Sequence, residues 1–209
     1  MVTGPSFLSV AVPVMLAYLI GAVPFGYLFV RFSLGKDVRT IGSGNIGATN
    51  VQRTAGTKAG VMVLLLDILK GFVAVWLAAL ASHSSGLTVA LAIIAVMLGH
   101  CYPIFLGFKG GKAVACFIGA FLYVAPLALL ATAVLFLLVA GVSHYISLGS
   151  ISGALAFPFI LWLMLHPAKP LLIASIVAGI LIVVRHRANI ARMYAGTENV
   201  FPPRRGSTP

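Results

Sequence analysis

The residues of this chain that are equipped for chemistry fall into three short polar segments, each beside a long apolar run. The first reads Gly42-Ser43-Gly44-Asn45-Ile46-Gly47-Ala48-Thr49-Asn50, with Arg53 just beyond it. Glycines let backbone N–H groups converge on an anion, while Ser43, Asn45, Thr49 and Asn50 add uncharged hydrogen-bonding groups. Arg53 offers a two-pronged donor to phosphate. The Gly42-x-Gly44-x-x-Gly47 spacing mimics a dinucleotide fingerprint, but an apolar helix precedes it where that fingerprint needs a strand. The second segment runs from Gly99-His100 to Gly110-Gly111-Lys112 and opens the next apolar run. N–H groups and the helix dipole at such an N-terminus favour an anion, and Lys112 adds a full charge. It is not a nucleotide P-loop, because Ala113 stands where Ser or Thr would hold Mg²⁺. The third segment is Arg185-His186-Arg187-Ala188-Asn189-Ile190-Ala191-Arg192, in which His186 and Asn189 share one helix face. These residue types point to phosphate handling.

Other polar residues read as structural. Asp67 and Lys70 are spaced i, i+3 within an apolar run, so they pair on one face and hold that helix against the neighbouring loops. His100 reads as a buried hydrogen-bonding group. Glu198 is the single acid of the C-terminal segment and is expected to pair with an arginine. Cys101 and Cys116 behave as small buried hydrophobes and fit neither a disulfide framework nor a zinc site. Asp37, Asp67 and Glu198 are the only acids, too scattered for an Asp-rich metal motif, so no metal or cofactor is called for.

The elements that position these segments must lie in a membrane. Of the 209 residues 61% are hydrophobic and 8% charged, against roughly 25% charged in a soluble domain. A net charge of +11 would suggest nucleic acid in a soluble protein, but here the basic residues border apolar spans, so lipid headgroups and anionic substrates are the expected partners and nucleic acid is not. A crossing helix needs about 20 apolar residues, and runs at about 7–30, 59–81, 87–107, 149–165 and 170–184 meet or approach that. The remaining run, 113–142, would be about 45 Å long as one helix. Pro126 near its middle predicts two helices meeting at Ala125–Pro126. The split gives seven spans, with the N-terminus outside and the C-terminus inside. All of the 14 Lys/Arg except Lys70 and Lys169 then face the cytoplasm, together with the three polar segments. The expectation is an all-α integral membrane bundle over 1–201, followed by a polar, disordered tail over 202–209. A membrane transporter for a phosphorylated solute is the alternative reading, although transporter sites lie near the midplane and these segments lie at one face.

Taken in order, Ser43 to Asn50, Gly99-His100 to Lys112, and His186-Arg187-Ala188-Asn189-Ile190 resemble the PlsY family of bacterial acyl-phosphate:glycerol-3-phosphate acyltransferases. The likeness runs along nearly the whole chain. It implies transfer of a fatty acyl group from acyl phosphate to the 1-hydroxyl of sn-glycerol 3-phosphate, giving lysophosphatidic acid and phosphate at the first committed step of phospholipid synthesis. It also implies a multi-pass protein of the bacterial inner membrane, with its site facing the cytoplasm. The soluble enzyme that produces acyl phosphate is a candidate partner. The resemblance assigns catalytic roles to Ser43, Arg53, Lys112, His186 and Asn189. It assigns phosphate binding to Ser43, Arg53, Gly110, Gly111, Lys112 and Ser150, and a structural role to Glu198; the chemistry of the first segment adds Gly44, Asn45, Thr49 and Asn50 to the phosphate-binding set. Ala113 departs from a position where the family often has glycine, and His144 from one where Arg or Lys is common. No carboxylate lies in the first two segments and no Ser-His-Asp arrangement is present. A substrate phosphate is therefore expected to take the hydroxyl proton, with His186 as the rival base.

Overall fold

The computed structural model describes residues 7–201, and all regular structure among them is helical. The expected disordered tail, 202–209, lies outside the described residues. Helix α1 (Phe7–Ala22) and helix α2 (Phe25–Leu34) are two halves of the first apolar run, which was expected as one helix ending near residue 30. The break has a local cause. Pro24 lacks the N–H that would continue the ladder, and the Val23 N–H donates to Ile20 O at 3.3 Å instead. Helix α2 then runs past the expected end and closes at Gly35, whose φ of 66° lets its N–H reach the Arg31 carbonyl.

The chain continues through α3 (Ala48–Ala55), α4 (Thr57–Ala81), α5 (Gly86–Cys101), a single 3₁₀ turn at Ile104–Leu106 and α6 (Val114–Val124). Next come α7 (Pro126–Ser143), α8 (Ile146–Leu165), α9 (Lys169–Arg185) and α10 (Arg187–Tyr194). The long run over 113–142 divides where the sequence predicts. Ala125 leaves the helical region at φ −151° and Pro126 opens α7. Five runs are long and apolar enough to cross a bilayer, a sixth is the α9–α10 pair bent by 52°, and α6 is a shorter apolar helix. The helices group into two compact units, Met1–Val124 and Ala125–Pro209.

In the first unit α1 packs on α5, and α4 packs on both α3 and α6. Lipid gives apolar helices no hydrophobic reason to associate, so close backbone approach has to supply the attraction. Gly99 of α5 and Gly119 of α6 provide it: a Cβ on either would run into a carbonyl oxygen, of Tyr18 and of Ile68 respectively. A separate apolar cluster of Val30, Val38, Ile46, Val51, Ala59 and Val63 joins α2, α3 and α4 to the loop before α3. Burying a Val or Ile away from water contributes about 1.5–3 kcal/mol, so Val38 and Ile46 anchor that loop from beneath. In the second unit α8 packs against α7 and α9. Leu127, Leu130, Val134, Leu137, Leu138 and Val142 of α7 are all exposed, an apolar surface suited to lipid.

Candidate active site

The first polar loop is built around Asn50, which is 2% exposed. Its Nδ2 donates to the carbonyls of Val38, Ile41 and Asn45 at 3.1, 3.0 and 2.9 Å. Its Oδ1 accepts the Ser43 N–H at 2.9 Å. This corrects the expectation that Asn50 binds substrate phosphate: a buried amide whose two ends are both occupied is the frame of the loop. Four of the backbone donors expected to converge on an anion are spent within the loop itself. The N–H groups of Ser43, Gly44, Gly47 and Asn50 donate to Asn50 Oδ1, Ile41 O, Asn45 Oδ1 and Gly47 O. Gly44 and Asn45 therefore shape the turn. Gly42 and Gly44 flank Ser43 at φ 59° and 68°, and a Cβ on Gly42 would strike Asn50 Oδ1. What the loop presents outward is side chains: Ser43, Thr49 and Arg53 are exposed. Thr49 and Arg53, four apart on α3, share a face.

A neighbouring clamp had no place in the sequence reading. Asp37 accepts the Arg39 N–H at 2.9 Å and the Arg39 guanidinium at 2.7 Å, and the guanidinium lies 5.2 Å from the Tyr27 ring centroid. The Arg39 hydrogen bond holds the Asp37 carboxyl below its ordinary value despite some desolvation. The Asp37-x-Arg39 spacing is the only signal for it.

The glycine loop sits at the far end of α5. Gly110 N–H donates to Cys101 O at 3.1 Å and Gly111 N–H to His100 O at 3.0 Å. These two amides are thus committed to the protein, which corrects the expectation that they supply donors to an anion. Their lack of side chains remains necessary, since a Cβ on Gly111 would overlap the His100 ring. Half-buried Lys112 follows directly. Ala113 O then accepts the Phe117 N–H at 2.8 Å and starts α6. Beneath the loop, Lys70 pairs with Asp67 at 2.7 Å, as the i, i+3 spacing predicts. Asp67, His100 and Cys116 bring one donor atom each within 4.8 Å of one another. They lie on three different helices, so no local spacing in the sequence links them.

In the second unit Glu198 is the hub. It accepts from Ser147 Oγ at 2.9 Å, from Asn189 Nδ2 at 2.7 Å and from Arg192 Nε at 2.7 Å. Burial works to raise the Glu198 pKa; the three hydrogen bonds outweigh it and leave the carboxyl below its ordinary value. Asn189 is 5% exposed and its Oδ1 has no hydrogen-bond partner among the described residues. His186 lies at the α9–α10 bend, 3% exposed, with Nδ1 2.8 Å from Ile182 O. A carbonyl only accepts, so Nδ1 carries the proton and Nε2 keeps the lone pair in the neutral ring. Ser150, expected as a phosphate ligand, spends its hydroxyl on Ile146 O at 2.9 Å and is buried.

Residues 11–196 match the family model described as glycerol-3-phosphate acyltransferase. The glycerol-3-phosphate acyltransferase of Geobacter sulfurreducens is 46% identical over 186 residues, covering 88% of this chain and 94% of that protein. The chain belongs to the glycerol-3-phosphate acyltransferase family. The Agrobacterium fabrum member is 43% identical over 198 residues, 94% of this chain and 93% of its own. The integral membrane acyltransferase PlsY superimposes in its glycerol 3-phosphate form with a TM-score of 0.86 at 39% identity, covering 92% of this chain and 96% of that one. Its lysophosphatidic acid form gives 0.83 at 38% identity, covering 92% and 95%. The chain is thus an all-α, multi-pass membrane acyltransferase of the PlsY family. Ala113 and His144 both hold a φ of 60°, a region that favours glycine.

Proposed function

We propose that this chain moves a fatty acyl group from acyl phosphate to the 1-hydroxyl of sn-glycerol 3-phosphate. The hydroxyl oxygen attacks the acyl carbonyl carbon, the bond from that carbon to the phosphate oxygen breaks, and inorganic phosphate leaves. The hydroxyl proton passes to a phosphate oxygen of a substrate, and lysophosphatidic acid remains. The observation that carries this reading is the first loop, where a locked frame leaves Ser43, Thr49 and Arg53 exposed together. Arg53, Lys112 and Ser43 hold the phosphates, and His186 and Asn189 of the second unit carry further catalytic roles. Acyl phosphate is already activated, so positioning and charge stabilisation supply most of the acceleration. An open apolar cleft of about 420 Å³, lined by Phe25, Leu28, Phe29, Phe32 and Leu66, suits the acyl chain. On this reading the chain makes seven crossings, counting α6, in a bacterial inner membrane with the polar segments facing the cytoplasm; the clustering of Lys and Arg beside those segments supports it. The enzyme that supplies acyl phosphate from the cytosol is the partner this geometry favours.

His186 as general base is the second reading, favoured by its Nε2 lone pair. His186→Gln in purified enzyme separates the two. Loss of a titration near neutral pH from the rate profile would assign the base to His186, and near-normal turnover would remove it. Donor choice tests the main proposal: palmitoyl phosphate should acylate glycerol 3-phosphate, whereas product from palmitoyl-CoA alone would contradict it.

A further inference from the structure

Under the glycine loop lies a buried ionic cluster to which the proposed reaction gives no task. Asp67 and Lys70 of α4 pair at 2.7 Å with side chains 2% and 3% exposed. Lys70 Nζ also donates to Val23 O at 2.8 Å, at the break between α1 and α2. It lies 5.6 Å from the Phe25 ring centroid. His100 of α5 brings its Nδ1 to 3.7 Å from the same Asp67 oxygen that Lys70 holds. Charges inside a membrane protein are costly, and a paired, buried charge is weak evidence for stability. What the cluster does have is a mechanical connection to the loop. The His100 ring occupies the space that a Cβ on Gly111 would take, with Nε2 nearest. The His100 carbonyl accepts the Gly111 N–H at 3.0 Å, and the Cys101 carbonyl accepts that of Gly110 at 3.1 Å. The residue after Gly111 is Lys112. Side chain and main chain of His100 therefore both bear on the glycine that carries Lys112.

We infer that Asp67, Lys70 and His100 are positioning residues for Lys112. Lys70, tied to Val23 on one side, fixes the Asp67 carboxylate. The carboxylate sets the angle of the His100 ring, and the ring sets the height of the Gly110–Gly111 loop and so the reach of the Lys112 ammonium. This rests on the reading of Lys112 as a phosphate-binding group. A divalent cation is the weaker occupant of the same cluster. Cys116 completes a three-donor set there, but the Lys70 ammonium already neutralises the one carboxylate and would repel a second cation.

A double-mutant cycle reads the ring–loop contact. Gly111→Ala alone drives a methyl group into the imidazole, and it should raise KM for glycerol 3-phosphate by about tenfold or more, since a misplacement of about 1 Å can cost about a hundredfold. In the His100→Ala background the methyl has room, and adding Gly111→Ala should cost less than about twofold further, the non-additivity expected of residues in contact. Asp67→Asn keeps the shape and removes the charge. It should raise KM for glycerol 3-phosphate several-fold and leave KM for palmitoyl phosphate within about twofold, because the loop alone is displaced. Additive costs in the cycle, or an equal rise of both KM values in Asp67→Asn, would overturn the inference. If Asp67→Asn does not elute as a folded species in detergent, the cycle decides, since both of its substitutions leave Asp67 and Lys70 themselves in place. Wild-type protein that makes no lysophosphatidic acid refutes the function itself, whereas active wild type with an additive cycle refutes only the positioning role.

Discussion

Replacing Asn50 with Ala should loosen the first polar loop without unfolding the helices. The side chain donates from two N–H groups to three carbonyls, of Val38, Ile41 and Asn45, and accepts one N–H, of Ser43. With one donor shared, that amounts to about three full hydrogen bonds, and at ~1 kcal/mol net each the loop loses about 3 kcal/mol of local stability. An energy of that size multiplies the open population of the loop by roughly a hundredfold. The apolar anchors Val38 and Ile46 remain, so the opening is local. Amide hydrogen exchange read by mass spectrometry on the 41–47 peptide measures it directly. The Ser43 amide, released from Asn50 Oδ1, should lose protection by that factor, while peptides from α4 and α5 keep theirs. Asn50→Asp is the sharper variant. It keeps the size but turns a carboxylate oxygen toward carbonyl oxygens, so it should exchange faster than Asn50→Ala. Loop protection unchanged in Asn50→Ala, or Asn50→Asp tolerated better than Asn50→Ala, would refute the assignment of Asn50 as the frame.

Other consequences are equally direct. Glu198 has a folded-state pKa below its ordinary 4.5, so its contribution to stability is complete above that value and is lost as pH falls through the depressed one. Acid unfolding in detergent should show this loss in the wild type, and Glu198→Gln should flatten it. Ala113→Gly should relieve the left-handed backbone at φ 60°, worth about 1 kcal/mol, and raise the thermal midpoint with lysophosphatidic acid synthesis retained. Ser150→Ala removes only a hydroxyl bonded within its own helix, so steady-state KM for both substrates should stay within about twofold of wild type, since such a bond is worth little net. A tenfold KM rise would return Ser150 to the list of ligands.

The pattern of apolar and polar residues carried the architecture because its causes are local. Pro126 ends a run that is too long for one crossing, and the structure breaks there. Asp67 and Lys70 are one helix turn apart, and they pair. The same reasoning located all three polar segments but misassigned work within them. Asn50 and the amides of Ser43, Gly44 and Gly47 look like phosphate ligands by type. Only the fold reveals that Asn50 and nearby oxygens engage one another's donors. Gly110 and Gly111 mislead in the same way, since their amides turn back onto the end of α5. Contacts across long separations left no local trace at all: Ser147 meets Glu198 across 51 positions, and His100 reaches Asp67 between two helices. The kink at Val23–Pro24 was signalled by Pro24 and overlooked because the apolar run continues through it.

The central claim is that an acyl phosphate donates its acyl group to glycerol 3-phosphate under cations supplied by Arg53 and Lys112. One measurement addresses it most directly: purified protein is given palmitoyl phosphate and radiolabelled glycerol 3-phosphate, and labelled lysophosphatidic acid and inorganic phosphate are counted together. Equal molar amounts of the two products are expected, with both falling by about two orders of magnitude or more in Arg53→Ala and Lys112→Ala, the scale seen when a group that stabilises a transition state is removed. Phosphate released without acylated product, or wild-type rates in both variants, would contradict it.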